Sequence, residues 1–126
     1  MKTLKIISFS IVAFFAFSQL AFAQIKNAKT ETTMIYGNCN MCKKTIEKAA
    51  NKKKTAQLTW DVDTKIATVT YDTTKTTLNE ILKNVAKAGY DNAKYRAPDE
   101  QYSNLHSCCQ YERPSAVKPK IEKSSN

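Results

Sequence analysis

From residue 24 onward the apolar positions change period several times. Thr30 to Tyr36 is a Thr-rich run ending in Met34, Ile35 and Tyr36, a β-forming segment that Gly37-Asn38 closes. Cys42, Ile46, Ala49 and Ala50 then recur at helical spacing. Asn40 stands where a helix cap is wanted, the helix is expected to start near Met41, and Lys52 to Lys54 end it with charge that suits the macrodipole. Two alternating runs follow: Ala56, Leu58, Trp60 and Val62 share one face, and Ala67, Val69 and Tyr71 share another. The polar link Asp63-Thr64-Lys65 joins them as a hairpin. In the next helix Thr77 and Glu80 form a capping box. Leu78, Ile81, Leu82, Val85 and Ala86 make its apolar face, and Gly89 falls where a left-handed cap is wanted. Tyr90 to Arg96 reads as a fourth short strand, which Pro98 stops.

The order βαββαβ predicts an α+β fold, a ferredoxin-like sandwich with both helices on one face of a four-stranded sheet. The domain is expected at residues 30–96, after a polar lead-in at 24–29. A C-terminal extension at 97–112 carries Tyr102, Leu105, His106, Cys108, Cys109 and Tyr111, and residues 113–126 read as a disordered tail.

Residues 1–23 have a different grammar. Met1 to Lys5 is positive, Ile6 to Phe17 is apolar, and Ala21-Phe22-Ala23 is a small-x-small cleavage site, which together predict a signal peptide and a mature chain beginning at Gln24. The apolar run is short for a membrane span and polar residues interrupt it. The expected product is soluble, in the periplasm or secreted, where disulfides can form.

Composition narrows the functions. At 126 residues with two Gly, the chain excludes a large multidomain enzyme and a Gly-rich phosphate-binding fold. The formal charge is +9, and loss of Lys2 and Lys5 with the leader leaves +7. The Lys residues are scattered and no aromatic-basic RNA signature appears, so a nucleic-acid partner is not expected. The single His lies in the extension and no Ser/His/Asp constellation is present, so no enzyme activity is expected.

The chemistry is carried by Cys39-Asn40-Met41-Cys42, at the junction of the first strand and the first helix. A thiol in the loop and a thiol in the first helical turn can face one point. The free N–H groups and positive end of the helix favour thiolate there. Thiolate is the form that binds copper(I) and zinc. Lys43 and Lys44 add positive charge beside it.

Residues 34–96 resemble the heavy-metal-associated domain of copper chaperones, metal-ATPase N-terminal domains and periplasmic mercury-binding proteins. Three segments carry the resemblance: Cys39 to Ala49 (CNMCKKTIEKA), Ala67 to Asp72 (ATVTYD), and Ala88-Gly89-Tyr90-Asp91. The resemblance implies a ferredoxin-like fold in which Cys39 and Cys42 bind a soft metal ion and pass it to a partner by ligand exchange. Tyr90 takes the place where the family often has an aromatic or Lys near the metal. The family pattern is Gly-Met-x-Cys-x-x-Cys, and here Gly37 stands in place of the Met, which predicts a looser loop.

Cys108 and Cys109 are too close in sequence to bridge each other without strain, so their partners are sought in Cys39 and Cys42, through disulfides or a shared metal. The extension is expected to fold back over the Cys-x-x-Cys loop, with Tyr102, Leu105 and Tyr111 docking on the domain. Cys39 and Cys42 are then the primary metal ligands, and Cys108, Cys109 and His106 the auxiliary ones. The expected cargo is copper(I), with zinc(II), mercury(II) or cadmium(II) as alternatives. The expected role is that of a metallochaperone or scavenger, with a metal-transporting membrane protein or another acceptor as partner. The alternatives are a thiol–disulfide exchange protein and a disulfide-crosslinked interaction domain without metal.

Overall fold

The computed structural model describes residues 24–115. The expected leader, and the tail beyond residue 115, lie outside the described residues. Strand β1 (Ala28–Met34) leads into helix α1 (Asn40–Ala50), strands β2 (Ala56–Trp60) and β3 (Ile66–Asp72), and helix α2 (Leu78–Lys87). A short helix α3 (Asp99–Ser103) and a 3-10 turn (Ser107–Cys109) follow. Among the described residues no helix is long and apolar enough to cross a membrane.

The sheet is antiparallel in the order β1-β3-β2, with Thr30 opposite Thr70 and Leu58 opposite Val69. Period-two alternation puts Ala56, Leu58, Trp60, Ala67, Val69 and Tyr71 inside. Against them pack Cys42, Ile46 and Ala50 of α1 and Ile81, Leu82 and Val85 of α2. The fold is α+β and ferredoxin-like, with three strands where four were expected. The missing strand has a local cause. Tyr36 donates to the Asp91 carbonyl at 2.9 Å and Ala93 to the Met34 carbonyl at 3.1 Å, so the chain does begin to pair beyond β1. The buried Asn92 side chain then accepts from the backbone of Lys94 (3.2 Å) and Tyr95 (3.0 Å), while its amide donates to the Leu82 carbonyl at 3.0 Å. This Asx turn bends the chain away, and one bridge between Ile35 and Asn92 is what remains of the strand.

Two other boundaries shift. The Asp61 carboxylate accepts from the backbone of Asp63 (2.9 Å) and Thr64 (2.8 Å), so the hairpin turn begins at residue 61 and β2 ends at Trp60. At α1 the cap residue is Cys39, with extended backbone, and Asn40 is already helical. The start of α2 is as expected: Thr77 Oγ1 accepts from the Glu80 backbone at 3.2 Å, though the Glu80 carboxylate takes the Thr76 hydroxyl at 2.9 Å rather than closing the box. Gly89 has φ +108°, and a Cβ there would lie 2.9 Å from Leu105 Cδ2 and 3.1 Å from the Gln101 carbonyl. Glycine is thus needed both for the turn and for the seat of the extension.

The extension is built onto the domain. Tyr111 is buried, stacks with Tyr90 at 6.0 Å and meets Tyr102 edge-on at 5.1 Å. Its hydroxyl accepts from the Asp91 backbone N–H (2.6 Å) and donates to the Gly89 carbonyl (2.9 Å). Arg113, placed by sequence in a disordered tail, is docked: its guanidinium holds the buried Asp91 carboxylate through two hydrogen bonds of 2.9 and 2.8 Å and donates to the Ala97 carbonyl at 2.6 Å. The ordered extension therefore continues past Glu112.

Candidate metal centre

The loop from Tyr36 to Cys39 enters α1 beside the 3-10 turn of the extension. Because Cys42 lies one helical turn beyond Cys39, the two sulfurs come together at 3.6 Å. Cys42 is fully buried, and Cys39 is half-buried at the rim. The 3-10 turn brings Cys109, also buried, to 2.7 Å from the Cys42 sulfur. Cys108 is exposed, its Sγ 3.7 Å from Met41 Sδ. The sulfurs of Cys39, Cys108 and Cys109 all lie within 4.8 Å of one another. Asn38 Nδ2 donates to the Cys108 carbonyl at 3.3 Å, tying the turn to the loop.

The electrostatics separate the rim from the interior. The backbone N–H of Cys42, facing the Cys39 sulfur at the open start of α1, is the main cause that lowers the Cys39 pKa to about 7. Burial pushes the Cys109 thiol well above its usual range, and its Cys42 neighbour pushes the same way. The site thus holds one ready thiolate at its mouth and a neutral thiol inside.

Residues 38–91 match the family model of the heavy-metal-associated domain. A CopZ metallochaperone has a similar structure, with a TM-score of 0.48 and 22% identity, covering 52% of this chain and 100% of its own. A putative copper-ion-binding protein from Bacillus anthracis str. Ames has a TM-score of 0.48 and 24% identity, covering 52% of this chain and 94% of its own. Among curated proteins none matches the chain.

Just before the matched segment, the departure at Gly37 has a structural counterpart. A Cβ on Gly37 would lie 3.0 Å from Trp60 Cη2 and 3.3 Å from Cys42 Cβ. The Trp60 indole fills the space beneath the loop and donates its Nε1–H to the Ile35 carbonyl at 3.0 Å. The loop is therefore supported by an aromatic ring from β2, not left loose as its sequence suggested.

Of the expected site residues, Cys39, Cys108 and Cys109 form one group, Cys42 adjoins it through Cys39 and Cys109, and His106 stands apart. His106 is exposed and lies outside the three-sulfur group, because it precedes the 3-10 turn and supplies its backbone carbonyl to Cys109 N–H at 2.8 Å. Lys43 also turns away from the sulfurs: its ammonium pairs with Glu47 and donates to the Trp60 carbonyl at 2.7 Å. Tyr90 is buried beside the centre; burial and then the Cys109 thiol push its phenol well above its usual range, so it stays neutral. Sequence reasoning missed Met41, whose position inside the Cys-x-x-Cys was the available signal, and the Asp91–Arg113 anchor, for which spacing gave none.

The Cys39 pKa has a direct consequence. In reduced, metal-free protein Cys39 is expected to be alkylated first by iodoacetamide, half-maximally near pH 7, since only the thiolate reacts. Peptide mass spectrometry across pH 5.5–9 measures this. A midpoint near the ordinary thiol value (about 8.5) would contradict it.

Proposed function

We propose that the mature chain is an exported binding protein for a soft metal ion, copper(I) ahead of zinc(II), mercury(II) or cadmium(II). In this reading it acts as a metallochaperone or scavenger in the periplasm or secreted space, and is not an enzyme. The observation that carries the reading is the Cys39–Cys42 pair, two sulfurs 3.6 Å apart at the start of a helix, one with its pKa lowered to about 7. Soft thiolate donors select copper(I) over hard cations. Each bound thiol releases a proton, so a ligand ionised at neutral pH costs little to recruit. The half-exposed Cys39 leaves the ion open to exchange with an acceptor, such as a metal-transporting membrane protein. The leader pattern of residues 1–23 supports export.

Anaerobic purification from the exported fraction tests this in one sample. The expected result is a mass beginning at Gln24, about one equivalent of copper, and competition titration that ranks copper(I) above zinc(II). The Cys39→Ser/Cys42→Ser variant is expected to lose the metal to stoichiometric chelator. Fully reduced wild-type protein that retains no thiophilic ion would overturn the reading.

A further inference from the structure

The extension contributes two sulfurs that the matched segment, residues 38–91, does not contain. Their placement is built rather than incidental. The 3-10 turn is held from one side by the Asn38–Cys108 hydrogen bond and from the other by buried Tyr111, whose hydroxyl makes two backbone hydrogen bonds. Arg113 closes the far end on Asp91, and Leu105 sits on Gly89, where no side chain could be accommodated. Between these anchors the turn has little freedom except to present Cys108 and Cys109 to the Cys-x-x-Cys loop.

We propose that residues 97–115 form a sulfur-bearing lid, in which Cys108 and Cys109 join Cys39 and Cys42 to enclose a soft metal ion in a closed thiolate centre. This rests on the reading of Cys39 and Cys42 as metal ligands and deepens it. Sulfurs bound at about 2.3 Å around one tetrahedral ion stand about 3.8 Å apart. Cys39 and Cys42, at 3.6 Å, already match that edge, and the Cys39–Cys108–Cys109 group lies within 4.8 Å. Cys42 and Cys109, at 2.7 Å, must part by about 1 Å to admit the ion. Met41 adds a thioether beside Cys108 at 3.7 Å. A two-sulfur site leaves an ion accessible to an acceptor. A site closed by two further thiolates holds it until the lid lifts. On metal binding each added thiol gives its proton to solvent and its sulfur to the ion, with no change of oxidation state.

The test uses full-length reduced protein loaded with copper(I) alone. X-ray absorption on the wild type is expected to count three or four sulfur neighbours. Removal of copper by excess bicinchoninate is expected to be at least about tenfold faster in Cys108→Ser/Cys109→Ser, a change on the scale seen when even outer-sphere partners of a metal are lost. Tyr111→Phe keeps every sulfur but loses the hydroxyl anchor, and is expected to speed removal in the same direction. Two sulfur neighbours in the wild type would overturn the lid whether or not the variants fold. Equal removal rates in folded wild type and double-Ser variant would overturn it too. Wild type that fails to retain copper at all would instead sink the underlying reading of Cys39 and Cys42.

Discussion

Trp60→Ala is expected to destabilise the domain by about 3–5 kcal/mol, and Gly37→Met in the same background to recover part of that loss. Trp60 has no exposed surface, its ring lies directly under the Cys-x-x-Cys loop, and its Nε1–H satisfies the Ile35 carbonyl. Truncation removes the packing, opens a cavity below Cys42 and leaves that carbonyl without its partner. Gly37→Met alone has no room, since its Cβ would already lie 3.0 Å from the ring, and overpacking of this kind costs about 1–3 kcal/mol. With both changes the methionine can enter the vacated space. The family pattern has a methionine at this loop position, where this chain has Gly37 over an indole from the sheet. Urea unfolding of the two single variants and the double measures the coupling. Strict additivity would show that the two positions do not share a space.

The reading of the fold from sequence succeeded where one local rule acted alone. The alternation from Ala56 to Trp60 and from Ala67 to Tyr71, the apolar face of α2 and the Thr77 cap are each decided within a few residues. They appear in the structure almost as read. It failed where a side chain redirected the backbone. Asn92 has the composition of a strand neighbour, yet its amide captures two backbone N–H groups and ends the pairing after one bridge. Asp61 shortens β2 in the same way. The short helix α3 went unread because five residues are too few for periodicity, although Pro98 followed by acidic Asp99 and Glu100 is a start signal. The site followed the same division. Cys39 and Cys42 are fixed by helix spacing, so their approach was legible. The approach of Cys108 and Cys109 depends on Tyr111 and Arg113 finding Gly89 and Asp91, contacts about 20 residues apart that no local pattern encodes. His106 shows the limit of grouping by type: it is adjacent in sequence to the 3-10 turn but is exposed and lies outside the three-sulfur group.

Arg113→Ala carries the other large effect. Asp91 is 1% exposed, and burial alone would raise its pKa; the Arg113 hydrogen bonds, the Ala97 backbone N–H and the charges of Arg113 and Arg96 more than reverse this and hold the carboxyl below its usual range. A carboxylate lowered in the native state contributes stability at pH values above the ordinary carboxylate range, and that contribution fades as acid protonates it. Removing the guanidinium leaves a buried charge with Arg96 4.0 Å away and one backbone donor, at an expected cost of about 3–5 kcal/mol at neutral pH. In the variant burial dominates, the Asp91 pKa rises, and the sign inverts: stability is expected to improve on acidification through the carboxylate range. The difference between variant and wild type is therefore largest near pH 7 and narrows toward pH 4, as urea unfolding across that range can show. A constant difference would mean that Arg113 contributes packing over the Tyr102 ring, 4.6 Å away, rather than charge. Arg113 also sits four residues beyond Cys109 in the same extension. Under the proposed lid, loss of the pair is expected to free the end of the extension and to speed copper removal although every sulfur remains in place, which links the stability of a buried carboxylate to how long the metal is held.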